Sequence, residues 1–264
     1  MSTSRPPIVF VHGLWLHAES WAPWLTLFRA SGYEAIAAQW PGDGATTEAT
    51  RRAPAALAGF GVAEIADFIA AQFKGTRPIV IGHSFGGLLA QNLLGRNLAT
   101  AAIAIDPAPI QGVWQLPLSA LRASFPVLGD PRNYGKTVAL TEAQFRYAFA
   151  NAVSEVEARE LYARFAIAAP GRPLFQAATA SMNPWSATKV DTGNQGRGPL
   201  LITAGSDDHI VPPVMVRSAM HRYRHSTAVT EYHEFRHRGH SLTIDSGWRE
   251  VADHCLGWLK AKQL

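Results

Sequence analysis

Residues 77–93 read RPIVIGHSFGGLLAQNL, and the chain changes character at Ser84. Before it stands a short apolar, β-branched run, Pro78–Ile81, of the kind a buried strand uses. After it, Gly87–Leu94 reads as a helix. A serine on such a strand-to-helix corner, with glycine two before and two after, matches G-x-S-x-G in the context that the pattern requires. Side chains at those glycine positions would collide as the chain doubles back. The corner exposes the hydroxyl, and the helix that follows points its N-terminal dipole at developing negative charge. Ser84 is therefore expected to be a nucleophile and not an ordinary turn serine.

A serine hydroxyl is a weak nucleophile and needs a base, which in turn needs an orienting acid. The base is expected in the last histidine-bearing loop before the final helix, where RHRGHSLTIDSGW (236–248) offers His237 and His240. His240, behind Gly239 and just ahead of that helix, is preferred; His237 belongs to a basic surface. The acid should follow a late strand, and PLLITAGSDDHIVPP (199–213) supplies Asp207 and Asp208. The order Ser, Asp, His is the one such an elbow calls for. Asp106 and Asp245 also lie near strand ends or loops, and the residues alone leave them open. A tetrahedral intermediate further needs two backbone N–H groups on its oxyanion. Phe85, directly after the nucleophile, is one. Leu14, behind Gly13 in VFVHGLW (9–15), is the other.

Working outward, short apolar runs recur at Ile8–Val11, Tyr33–Ala38, Ala101–Ile105 and Leu200–Thr203, with a more polar run at Val229–Phe235. Helical patterns separate them: Trp21–Ala30, Val62–Phe73, Val214–Tyr223 and Trp248–Lys260. Near-continuous apolar strands alternating with helices predict an α/β fold, a mostly parallel twisted sheet with helices on both faces. The alternation breaks after Pro107. Residues 107–198 carry five prolines by Pro131, several aromatics and a helix pattern over Thr141–Phe165 whose start, Thr141 with Gln144, resembles a capping box. These residues are expected to form a mostly helical cap over the carboxyl ends of the strands, where such sheets bind ligands. Residues 1–106 and 199–264 are then the core. Trp15, Trp114, Phe125, Phe149 and Trp185 are the aromatics expected to line a substrate pocket.

With 264 residues, 47% hydrophobic and 17% charged, the chain can bury a sizeable core and is neither disordered nor low-complexity. No apolar run reaches the roughly 18–20 residues of a membrane span. The single cysteine, Cys255, excludes an internal disulfide and suits a reducing, cytoplasmic compartment. The net charge of +4 gathers in RSAMHRYRHS (217–226) and EFRHRGHS (234–241), without a nucleic-acid module or a stacking pattern. It reads as a solvated face. There is no P-loop, and neither metal nor nucleotide is expected. A small molecule is the expected partner, with the protein a monomer or homodimer.

Together VHGLW (11–15), WPGDGAT (40–46), GHSFGG (82–87), AGSDDHIVP (204–212) and GHS (239–241) resemble the α/β-hydrolase superfamily, in family order and over about two-thirds of the chain. The resemblance implies a sheet of about six strands, as in the plant methylesterase and hydroxynitrile lyase branch. It implies that Asp208, registered on Gly205, Ile210, Val211 and Pro212, is the acid. It also implies an acyl-enzyme on Ser84 that water, activated by His240, hydrolyses. A carboxylic ester or lactone is the leading substrate. Perhydrolase or cofactor-free haloperoxidase chemistry, carbon–carbon hydrolysis, a lyase, or a receptor with weak hydrolysis are the competing readings. Similar lyases carry a lysine beside the catalytic histidine, whereas Gly239 and Ser241 flank His240 here.

Overall fold

The computed structural model describes residues 5–264. Six strands form one sheet: β1 (Ile8–Val11), β2 (Ala35–Ala38), β3 (Ile79–His83), β4 (Ala101–Ile105), β7 (Leu200–Gly205) and β8 (Thr230–Phe235). Their order is β2-β1-β3-β4-β7-β8, and every neighbouring pair is parallel. The central strands β1, β3, β4 and β7 are buried along their whole length, as their unbroken apolar runs require. The edge strands are the ones that carry exposed or half-buried positions, which accounts for the polar sequence of β8.

Two apolar layers follow from the two-residue period of the strands. Ile8 and Phe10 of β1, Ile79 and Ile81 of β3, and Ile103 of β4 face α1 (Ala22–Ala30) and α10 (Trp248–Ala261). There Phe10 meets Trp21, Trp24 and Phe28 at ring separations of 5.0, 5.9 and 5.2 Å. Val9, Val11, Val80 and Ala104 face the other side, toward α3 (Val62–Gln72), α4 (Phe85–Gly95) and α9 (Pro213–His221). Burying each such large side chain contributes about 1.5–3 kcal/mol. Among the described residues no helix is long and apolar enough to cross a membrane.

The stretch between β4 and β7 holds α5 (Leu118–Leu128), α6 (Glu142–Ala148), α7 (Glu155–Phe165), α8 (Arg172–Ala178) and a two-stranded antiparallel ribbon of β5 (Thr137–Val138) and β6 (Ala169–Pro170). It is tied over the end of β1: the Trp15 indole donates to the Val138 carbonyl at 3.0 Å, and Ile167 N–H donates to the Trp15 carbonyl at 3.1 Å. The capping box of α6 forms as expected, with Thr141 and Gln144 each accepting the other's N–H. The helix expected over Thr141–Phe165 is two helices. Ser154 accepts from Glu157 N–H and starts α7 afresh, a second S-x-x-E signal that stops α6 from running on. The broken segment is then free to touch the core. The Phe149 carbonyl accepts from Ser241 N–H, and Asn151 Nδ2 donates to the Asp207 carbonyl.

Candidate active site

The sheet order reverses direction between β1 and β3, the place where open parallel sheets form a crevice at their carboxyl ends. Ser84 stands there, between β3 and α4, with φ +56° and ψ −122°. A non-glycine residue in that region stores on the order of 1–3 kcal/mol, held by the surrounding structure. The restraints here are plain. Ser84 N–H donates to the Ile105 carbonyl at 2.9 Å, while the Ser84 carbonyl accepts from Gly87 and Ala108 at 2.9 Å each. A Cβ at Gly82 would run into the Gly86 carbonyl, and one at Gly86 into the Val11 carbonyl. The two glycines are what let the strand turn into the helix.

Asp208, on the loop after β7, meets His240, on the loop after β8. His240 Nδ1 donates to Asp208 Oδ2 at 2.6 Å, and both side chains are wholly buried. Asp208 Oδ1 accepts from Ile210 N–H at 2.7 Å and Val211 N–H at 2.9 Å. Burial alone would raise this carboxyl, but the His240 charge and these hydrogen bonds overcome it and hold it below the ordinary aspartate value. The other ring nitrogen of His240, Nε2, is buried and finds no partner among the described residues. His83 lies 4.6 Å from the His240 ring, and Phe149 stands edge-on at 4.9 Å. Asp207, by contrast, is half exposed and accepts from Ser206 Oγ. His237 is almost fully exposed.

The loop after β1 brings Gly13 and Leu14 beside the serine. A Cβ on Gly13 would sit 2.7 Å from Ser84 Cβ. His12 anchors this loop through Asp43, with Nε2 3.1 Å from Oδ2, and its ring stacks on Trp40 at 5.0 Å. In the sequence Asp43 stands only as part of WPGDGAT, and nothing there ties it to the histidine of His-Gly that its buried carboxylate meets. The N–H groups of Leu14 and Phe85 find no acceptor among the described residues. His17 spends its ring on the Gly44 carbonyl and the Glu19 N–H instead of the cleft.

A cavity of about 280 Å³ opens at Ser84, walled mainly by apolar side chains that include Trp15, Phe85, Trp114, Leu121 and Ile210. Three aromatics expected there are elsewhere. Phe125 is 70% exposed, because α5 turns Ala120, Ala123 and Val127 inward and leaves Phe125 on its outer face. Trp185, 87% exposed, projects from a turn. Phe149 is fully buried and backs the His240 ring. The one group of acids and histidines close enough to converge on an ion, among the described residues, is Asp106, Asp208 and His240. Nδ1 of that histidine and both oxygens of Asp208 are already engaged in hydrogen bonds within the protein.

A search of curated protein sequences gave no match. Solved structures do match over nearly the full chain. An extracellular α/β-hydrolase from a Paenibacillus species, described as sharing structural and functional homology with tobacco salicylic acid binding protein 2, is 19% identical, with a TM-score of 0.70 over 96% of this chain and 98% of that one. A methylesterase from Arabidopsis is 16% identical, with a TM-score of 0.65 over 97% and 99%. Tomato methylketone synthase I, solved with 2-tridecanone, is 14% identical, with a TM-score of 0.68 over 97% and 98%. At such identities the likeness is one of fold. The model of the alpha/beta hydrolase family matches residues 8–254, and with the parallel sheet and the elbow at Ser84 it shows that the chain belongs to that family.

Proposed function

We propose that the protein is a serine hydrolase that cleaves a carboxylic ester or lactone through an acyl-enzyme on Ser84, with Asp208 and His240 as its partners. The observation that carries this reading is the buried 2.6 Å bond from His240 Nδ1 to Asp208, which leaves Nε2 as the free basic nitrogen beside the elbow. Ser84 Oγ attacks the carbonyl carbon as its proton passes to His240 Nε2, and the Leu14 and Phe85 N–H groups receive the oxyanion. Collapse breaks the bond to the alkoxide, which takes the proton from His240. Water then repeats the sequence: its proton goes to His240 and its oxygen to the acyl carbon, and collapse breaks the bond to Ser84 Oγ, which takes the proton back from His240 as the carboxylic acid leaves.

The apolar wall around the serine favours an uncharged, apolar acyl or alcohol group of modest size. In this reading residues 107–198 act as the cap that supplies most of that wall. The test is hydrolysis of p-nitrophenyl esters of rising acyl length and of aliphatic lactones, with Ser84→Ala alongside. Turnover by the wild type that Ser84→Ala abolishes is expected. A folded wild type that binds members of the panel, seen as a rise in melting temperature, yet turns none over would replace this reading with that of a binding protein.

A further inference from the structure

Behind the Asp208–His240 pair lies a second acid that the proposed chemistry does not use. Asp106 follows β4, directly after Ile105, and is wholly buried. Its backbone takes φ +43°, in the left-handed region that few residues other than glycine, asparagine and aspartate adopt, and its N–H donates to the Thr203 carbonyl at 2.9 Å. Asp106 Oδ1 accepts from Gly205 N–H at 2.9 Å. Asp106 Oδ2 finds no donor among the described residues. Asp106, Asp208 and His240 each bring one polar atom within 4.8 Å of the others.

Two carboxylates cannot both stay charged at that distance in a dry site, so one of them keeps a proton. Which one is decided by the donors around them. Asp208 has the Ile210 and Val211 N–H groups and the His240 ring, whereas Asp106 has one amide. The other charged group acting on Asp106 is Arg238, whose guanidinium is drawn off to Asp245 and Glu250. Burial, and then the Asp208 charge, push the Asp106 carboxyl well above the usual aspartate range.

We propose that Asp106 is a positioning residue for the triad: a neutral carboxylic acid whose Oδ2–H donates to the Asp208 carboxylate and holds it in line with His240. This rests on the reading of Asp208 as the triad acid. Asparagine can copy such a group. Its Oδ1 would accept from Gly205 and its Nδ2 would donate to Asp208, with no charge added. Alanine offers neither contact and leaves a buried carboxylate short of a donor.

The experiment compares wild type, Asp106→Asn, Asp106→Ala and Asp208→Asn on one p-nitrophenyl ester that the wild type hydrolyses, with infrared spectra of the folded wild type and Asp106→Asn at neutral pH. Asp106→Ala should lose about tenfold or more in kcat with KM little changed. Asp106→Asn should recover most of that loss. Asp208→Asn should lose about 10⁴-fold. The infrared difference should contain the C=O stretch of a protonated carboxylic acid, present in the wild type and missing from Asp106→Asn. No such stretch, or Asp106→Asn as inactive as Asp208→Asn, would overturn the proposal, as would wild-type kcat in Asp106→Ala. If Asp106→Ala does not fold, the asparagine variant and the spectrum decide alone. Full activity in Asp208→Asn would instead sink the assignment of the triad acid, while the spectrum would still report whether Asp106 holds its proton.

Discussion

Gly13 lies so close to Ser84 that a methyl group on it would stand 2.7 Å from the serine Cβ and 3.2 Å from its Oγ. Neither side can yield easily. Ser84 is pinned by four backbone hydrogen bonds on the elbow, and Gly13 follows a strand bonded to β2 and β3. Gly13→Ala is therefore expected to displace Ser84, the proposed nucleophile, or the loop proposed to bind the oxyanion. Overpacking of this kind costs about 1–3 kcal/mol. The measurement is kcat beside melting temperature: a fall in kcat far larger than the stability loss is expected. Unchanged kcat would show that Leu14 N–H does not serve the oxyanion.

The neighbouring acids differ in environment and should differ in effect. Asp208 is buried against His240, whereas Asp207 is half exposed with its carboxylate on Ser206. Asp208→Asn is expected to reduce kcat by about 10⁴-fold, since the amide would favour the wrong histidine tautomer. Asp207→Asn should change it little. Steady-state kinetics on both variants checks this, and the reverse ranking would move the acid to Asp207.

Much of this was legible in the sequence, and the parts that were not share a cause. Ile8–Val11 and Ala101–Ile105 were readable to the residue, because strands buried on both faces leave no polar interruption. The corner at Ser84 was readable because only small residues pass there. Asp207 and Asp208 could not be parted by their own chemistry. The choice depends on which carboxylate the Ile210 and Val211 amides capture, a matter of how one turn folds. Composition picks out the aromatics Phe125 and Trp185 but does not tell which way the helix of one or the turn of the other faces. The ribbon of β5 and β6 is two residues per strand, too short for any period. The meeting of Asp106 with Asp208 exists only through the pairing of β4 with β7.

His83 makes stability depend on pH in a defined direction. Its ring is buried, neither nitrogen has a side-chain partner, and burial, then the His240 charge, hold its pKa well below 6.5. The folded protein keeps His83 neutral, while the unfolded chain takes up a proton near pH 6.5. Below that value the unfolded state binds more protons, so stability falls as the pH falls toward the folded-state pKa. The slope is at most about 1.4 kcal/mol per pH unit. Melting curves of wild type and His83→Leu between pH 7 and pH 5 test this. The wild type should lose stability more steeply, and parallel curves would mean that the imidazole finds a proton partner in the fold.

Trp114 offers a way to read the cavity by truncation. It is 68% exposed, yet it walls the same space as Ser84. Its loop is held from below, where Ser181 Oγ accepts from Gly112 N–H and donates to the Val113 carbonyl. Trp114→Ala should therefore change stability only within the small range typical of surface changes, about 0.5 kcal/mol. What it removes is apolar surface at the mouth, where the far end of a longer acyl group would rest. Each methylene that rests against the indole contributes at most about 0.8 kcal/mol, so the penalty should grow with chain length. In kcat/KM across the ester series, the ratio of wild type to Trp114→Ala should stay near one for acetate and rise steadily beyond it. A constant ratio across the series would mean that the acyl chain rests on the other apolar walls of the cavity and not on Trp114.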